Sequence, residues 1–219
     1  HIQKHLIVYF IFTNVNLHSI FKFKIKQTIT GKIEAWGEIG LAVKAYDYMD
    51  NTTNIYGVKD ITLRQDSQII YHSNLDRFAF DETRYLNSYV DYEEWKERRS
   101  FYMRSFVEPG NRLRFNESIN RGIIHIEEEK TYHLTYTLAD AFGNTTRLSV
   151  WIEGKEQEIP EIETEGTELF HWMADNRFGA KGIRMTIPKG NLYDDLYFRY
   201  SVKEDSTALA DTHILHNRP

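Results

Sequence analysis

The stretch that decides the fold runs from residue 131 to residue 152 and reads TYHLTYTLADAFGNTTRLSVWI. Its first part alternates the apolar residues Tyr132, Leu134, Tyr136 and Leu138 with polar ones, as in a β-strand that buries one face. The alternation resumes over residues 148–152, after a turn in which Gly143 supplies the positive φ of a tight connection. The pattern predicts an antiparallel hairpin.

Earlier parts of the chain repeat this period of two. Ile39, Leu41, Val43 and Ala45 predict the buried face of one strand, and residues 58–64 and 67–72 predict a hairpin that turns at Gln65-Asp66. Short strands separated by turns, without long helices between them, are typical of an antiparallel sandwich. We therefore expect an all-β or mainly β fold.

Residues 81–100 depart from the strand pattern. Tyr85, Tyr89 and Tyr92 follow one another at helical spacing with charged residues between them, and Asp81 or Asp91 is suited to cap a helix. We expect a helical insertion of one or two short helices in the sandwich.

The domain organisation follows from changes in composition. Residues 27–155 form the expected sandwich, residues 156–166 an acidic linker around Pro160, and residues 167–219 an incomplete second β module. In this module we expect strands at 182–188 and 196–202 around a turn at 189–191, preceded by a loop at 175–182. Residues 1–26 contain lysines and no acidic residue, so their place in the domain is uncertain.

The composition excludes several classes of function. The chain has no cysteine, which rules out thiol catalysis and thiolate metal sites, and its net charge of −5 argues against binding to nucleic acid. The early apolar run at residues 6–12 is too short to span a membrane. With 41% hydrophobic residues, the chain has enough apolar side chains for a folded core.

Two groups of residues are candidates for binding. Aromatic and arginine side chains in and after the insertion form a possible surface for a glycan or an acidic ligand; these are Tyr85, Tyr89, Trp95, Arg98, Arg99 and Arg104. The alternative is that the rings pack in the core and the arginines pair with Glu93, Glu94 and Glu97. Similarly, Asp47, Asp50 and Asp140 either bind a cation such as calcium or hydrogen-bond to their own turns, and turn formation is the favoured interpretation.

Two stretches resemble bacterial immunoglobulin-like (Ig-like) domains. They are residues 43–63, with Gly57-Val58 opening a strand, and residues 136–148, with an aspartate before a Gly-Asn turn. The resemblance implies that the expected sandwich is Ig-like.

Most of the chain, from about residue 27 to the end, is similar to a β-rich region of large bacterial envelope proteins. The similarity is carried by residues 34–40 (EAWGEIG), 75–86 (LDRFAFDETRYL), 105–111 (SFVEPGN) and 175–182 (DNRFGAKG). In that family the region follows a lysostaphin-like zinc peptidase domain, which cuts peptidoglycan cross-bridges. The family takes its zinc ligands from paired H-x-x-x-D and H-x-H motifs, and H-x-H occurs nowhere in this chain.

The resemblance therefore implies no catalytic residue and no metal ligand here, with zinc expected only in the peptidase domain. It implies that this chain alone is not an enzyme but a non-catalytic accessory region of a metalloendopeptidase in the bacterial cell envelope, periplasmic or exported. Its partners would be its own upstream peptidase domain and peptidoglycan or an envelope protein. The alternative is an independent glycan- or protein-binding β-sandwich module of the envelope.

Overall fold

A computed structural model describes residues 9–14, 20–21, 33–48, 55–159, 162, 164–204 and 211–216. By its internal contacts the chain divides into two compact units. The first contains residues 1–107 and 112–161, and the second contains residues 108–111 and 162–219. None of the helices in the described ranges is long and apolar enough to cross a membrane.

The fold is mainly β. The strands of the first unit are β1 (Tyr9–Asn14), β2 (Ile20–Phe21), β3 (Ile33–Ala35), β4 (Gly37–Lys44), β5 (Asp47–Tyr48), β6 (Ile55–Tyr56), β7 (Asp60–Gln65), β8 (Gln68–Asn74), β9 (Met103–Arg104), β10 (Asn116–Ser118), β11 (Ile124–Ile126), β12 (Thr131–Ala139) and β13 (Thr145–Gly154). Those of the second unit are β14 (Thr167–Phe170), β15 (Asn176–Ala180), β16 (Ile183–Ile187), β17 (Leu196–Lys203) and β18 (Thr212–Leu215).

The first unit is a sandwich of two sheets. One sheet has the order β11-β4-β1-β2, with β9 also paired to β4, and the other has the order β10-β8-β7-β12-β13-β3. All pairs are antiparallel except β13 with β3. The expectation of a mainly β sandwich with a helical insertion is confirmed. Part of the uncertain segment 1–26 forms β1 and β2, and its other residues lie outside the described ranges.

The core lies between these sheets. Leu41 and Val43 from β4 and Leu134 and Tyr136 from β12 belong to one continuous cluster of buried side chains. Strand β12 pairs with β13 over nine residue pairs, from Thr131 opposite Glu153 to Ala139 opposite Thr145. The predicted hairpin at 131–152 is therefore confirmed, and burying its apolar residues is the main driving force for the sandwich.

The second predicted hairpin, β7 with β8, is also present, one residue from its expected turn. Gln65 pairs with Gln68, so the turn residues are Asp66 and Ser67, and Asp66 adopts a φ of 52°. Aspartate tolerates this left-handed conformation better than most residues, which explains the shift.

The insertion consists of three short helical segments, where one or two short helices are expected from the sequence. A 3₁₀ helix (Phe80–Tyr85) precedes α1 (Leu86–Tyr89), and α2 (Tyr92–Arg98) follows. The break is at Val90, which is extended and bridges to Met103, so the three tyrosines do not share one helix face. Asp91 caps α2 as predicted, since its Oδ1 accepts a hydrogen bond from the Glu94 amide at 3.0 Å.

The second unit differs in pairing from what the sequence predicts. Both expected strands exist, as β16 and β17, but they do not form a hairpin with each other. Strand β16 pairs with β15, in a segment we expected to be a loop, and β17 lies between β14 and β18. The true turn is at Lys181-Gly182, where Gly182 has a φ of 84°. Phe170 and Phe198 stack at 4.6 Å in the small core of this unit.

Candidate binding surfaces

The outer face of the six-stranded sheet is rich in hydroxyl groups. Because side chains alternate along a strand, the residues between the buried ones of β7, β12 and β13 point away from the core. They place Thr62 opposite Thr137 and Thr135 opposite Ser149, and none of these four side chains is fully buried. Arg64 lies opposite Thr135 and Arg147 opposite Thr137 on the same face. The face therefore offers hydroxyl groups, which both donate and accept hydrogen bonds, beside guanidinium donors, a combination that suits a polar ligand rich in oxygen.

An aromatic pair lies on the same face. The rings of His133 and Trp151 stack with centroids 4.0 Å apart and an angle of 23° between their planes. Trp151 is 52% exposed although its neighbours Val150 and Ile152 are completely buried. The pair presents a broad, rigid apolar surface beside the hydroxyl groups of Thr135 and Ser149. Trp151 is not among the binding residues predicted from the sequence. The signal that indicates it is a large aromatic residue at an outward position between the buried Val150 and Ile152.

Among the predicted binding residues, Tyr89 lies in the core. It is 3% exposed and its ring meets Phe115 edge-on, with centroids 5.3 Å apart. Burial raises the pKa of its phenol to about 12. Tyr85 is half-buried, and the guanidinium of Arg84 lies 5.0 Å from its ring centre. Tyr89 therefore packs in the core, and Tyr85 is only partly accessible.

The remaining predicted residues pair with one another or with neighbours. Trp95 is 37% exposed, and the Arg99 guanidinium lies 5.0 Å over its ring. Arg98 forms an ion pair with Glu94 one helical turn away, as the alternative interpretation predicts, and Arg104 lies 5.5 Å over the Phe106 ring. Because cations already cover aromatic surface in this region, less of it is available to a ligand than at Trp151.

A cleft of about 500 Å³ opens where β8 ends. Its lining residues are Asn74, Asp76, Arg77, Phe78, Ala79, Arg114 and Phe115. Next to it, the buried Glu82 carboxylate accepts hydrogen bonds from the Ala79 amide at 2.7 Å and from Arg114 Nε and Nη2 at 2.8 and 3.0 Å. The Glu82–Arg114 ion pair links the first helical segment of the insertion to the irregular segment that precedes β10.

The hydrogen bonds of Glu82 predict that the stability of the fold falls as the pH becomes acidic. The Arg114 side chain, followed by the Ala79 amide, lowers the pKa of Glu82 from 4.5 to about 2. A depressed folded-state pKa contributes stability above pH 4.5, and this contribution is lost as the pH falls towards 2. We expect Glu82→Gln to unfold more easily in urea at pH 7 and to lose less stability than the wild type between pH 4.5 and 2.

The matched control for this prediction is Glu156→Gln, since the Glu156 side chain is exposed and has no ion pair with any residue that the structure describes. Its acid dependence should equal that of the wild type. An unchanged acid dependence in Glu82→Gln, measured by urea unfolding at several pH values, would contradict the role given to the Glu82–Arg114 pair.

One half of the peptidase zinc signature does occur in this chain. His72 and Asp76 stand four residues apart, as in H-x-x-x-D, but they pair with Asp60 and Lys59 respectively. His171 and Asp175 have the same spacing. His171 Nδ1 lies 3.2 Å from Asp195 Oδ2, whereas Asp175 Oδ1 accepts a hydrogen bond from the Lys189 amide at 2.8 Å. The two side chains are thus held by different parts of the second unit.

The predicted cation ligands can be located only in part. Asp140 Oδ1 accepts hydrogen bonds from the amides of Phe142 and Asn144, at 2.9 and 2.8 Å, which is the turn geometry favoured for it. Asp50 lies outside the described residues. Within the described ranges, no group of three or more histidine and carboxylate side chains is arranged to hold a metal ion.

Comparison with known proteins adds one match. Residues 167–219, which contain most of the second unit, match the family model of the Zu5-like domain. No curated protein and no solved structure matches the chain. The second unit is therefore similar to a Zu5-like domain.

Proposed function

We propose that this chain is a non-catalytic region that binds cell-wall glycan for a peptidoglycan endopeptidase of the bacterial cell envelope, periplasmic or exported. Two lines support the proposal. The four stretches quoted above resemble the β-rich region that follows the peptidase domain in such proteins, and the sandwich offers a surface suited to a glycan. In this role the chain holds its upstream peptidase domain close to the substrate, which raises the effective concentration of the bonds to be cut.

The observation that carries the proposal is the exposed Trp151 stacked on His133 amid hydroxyl side chains. A sugar ring has an apolar face of C–H groups and a rim of hydroxyl groups. The indole can cover the first while Thr135 and Ser149 hydrogen-bond to the second. The stacking on His133 holds the indole in place, so that little side-chain entropy is lost when a ligand binds.

The alternative module, which binds glycan independently through the insertion, makes a different prediction. It would rely on Trp95, whose ring is already covered by Arg99. The two possibilities can therefore be separated by comparing how Trp151→Ala and Trp95→Ala change binding to peptidoglycan.

We expect Trp151→Ala to weaken binding of the purified chain to insoluble peptidoglycan by about tenfold or more, since exposed aromatic anchors commonly dominate a binding surface. Trp95→Ala is the matched control and should bind as the wild type does. Co-sedimentation at a series of peptidoglycan concentrations measures both. Equal binding by Trp151→Ala and the wild type, or release of wall fragments by the purified chain with zinc, would contradict the proposal.

A further inference from the structure

The cleft at the end of β8 combines positive charge with apolar walls. Phe78, Ala79 and Phe115 contribute the apolar part, and Arg77 and Arg114 contribute two guanidinium groups. Its volume of about 500 Å³ lies in the range of pockets that hold small ligands. This cleft involves none of the residues proposed above for glycan.

Arg114 is held in a fixed orientation. Glu82 engages its Nε and Nη2 in a two-pronged pair, and the Arg114 amide also donates to Glu82 Oε1 at 3.2 Å. The remaining nitrogen, Nη1, makes no hydrogen bond to any residue that the structure describes. An arginine fixed in this way can offer its remaining N–H groups without first losing conformational freedom.

Arg77 provides the second cation. Among the described residues it has no hydrogen bond and no ion pair, although its neighbour Asp76 is engaged by Lys59, whose Nζ lies 3.1 Å from Asp76 Oδ1. The charges of Asp76 and Lys59 balance, as do those of Glu82 and Arg114. Asp81 also lies close enough to Arg114 to raise its pKa. Arg77 is thus the guanidinium of the cleft lining that has no acidic partner among the described residues.

We propose that this cleft binds the terminal carboxylate of a short peptide, with Arg77 and Arg114 Nη1 as donors to the carboxylate. Phe78 and Phe115 line the cleft where the C-terminal side chain of the peptide would lie. A peptide that ends in a small apolar residue should therefore bind better than a simple inorganic anion. Both a cell-wall stem peptide and the C-terminus of a partner protein carry this chemistry. The proposal is independent of the glycan surface, because it involves a different part of the sandwich and a different class of ligand.

The test is a titration of the 219-residue chain with acetyl-D-alanyl-D-alanine, its C-terminal amide, and acetyl-L-alanyl-L-alanine, followed by NMR or calorimetry. We expect one or both acids to bind and the amide to bind at least tenfold more weakly, since hydrogen bonds to a charged group are lost. Preference for the D-peptide assigns a wall peptide as the source, and preference for the L-peptide assigns a protein terminus.

Arg77→Gln should lose affinity for the acid by about tenfold to a hundredfold. Arg112→Gln, which changes an exposed arginine outside the cleft lining, and Trp151→Ala should both keep it. Retained peptide binding in Trp151→Ala makes failure of the glycan proposal distinguishable from failure of this one. Equal binding of acid and amide, no binding of either acid at millimolar concentration, or unchanged binding in Arg77→Gln would overturn the proposal.

Discussion

Replacing Leu134 by alanine is expected to lower the free energy of unfolding of the first unit by about 3 to 4 kcal/mol. Leu134 is completely buried on β12, the strand that lies between β7 and β13 in the six-stranded sheet. The substitution removes apolar surface from the core and leaves a cavity that the surrounding strands cannot close, since β12 is hydrogen-bonded on both sides. A loss of this size is a large part of the stability of an ordinary domain.

Thr135→Ala is the matched control for Leu134→Ala. It changes the next residue of the same strand, which faces away from the core, and should cost less than about 1 kcal/mol. Urea unfolding followed by tryptophan fluorescence measures both. If the two variants lost the same stability, the assignment of inward and outward faces on β12 would be wrong, and so would the assignment of Trp151 to the outer face.

Gly122→Ala is expected to destabilise the first unit by about 2 to 5 kcal/mol, from left-handed backbone strain together with steric overlap. Gly122 has a φ of 77°, and a Cβ there would lie 2.5 Å from the Ser105 carbonyl oxygen. That segment cannot easily move, because the Ser105 amide donates to the Leu41 carbonyl at 2.7 Å and Tyr136 donates to Ser105 Oγ at 2.8 Å.

The matched control is Gly143→Ala. Gly143 has a similar φ of 82°, but nothing lies within 4 Å of the added Cβ. It should cost only the backbone strain, about 1 to 2 kcal/mol. The difference between the two variants in urea unfolding isolates the steric overlap with Ser105. Equal losses would contradict the close approach of residues 105–106 to Gly122.

The parts of the fold that the sequence predicts correctly are those with a regular local pattern. In β12 every second residue is apolar over four repeats, so strand, buried face and hairpin all follow from it. Strand β15 has a weaker pattern, because Phe178 is the one large apolar residue among its inward residues, beside Asn176 and Ala180. Gly179 also has a low strand propensity. Its pairing with β16 depends on the Lys181-Gly182 turn, which lies in the segment 175–182 that the sequence predicts to be a loop.

The candidate sites were harder to predict, since they depend on residues far apart in sequence. Glu82 and Arg114 are separated by 32 positions, and no local spacing indicates that they pair. Trp151 and His133 meet only because the β12–β13 register places them opposite each other. By contrast, the Arg98–Glu94 pair lies on one helix at a spacing of four residues, so the sequence predicts it as an alternative to ligand binding.

The proposed glycan-binding surface is the outer face of the six-stranded sheet around Trp151. The most direct measurement follows the indole N–H signals of the four tryptophans, Trp36, Trp95, Trp151 and Trp172, by NMR while soluble peptidoglycan glycan fragments are added. We expect the Trp151 signal to shift in a saturable manner and the Trp95 signal to stay in place. A shift of Trp95 with Trp151 unchanged, or no shift of either at saturating glycan, would contradict the proposal.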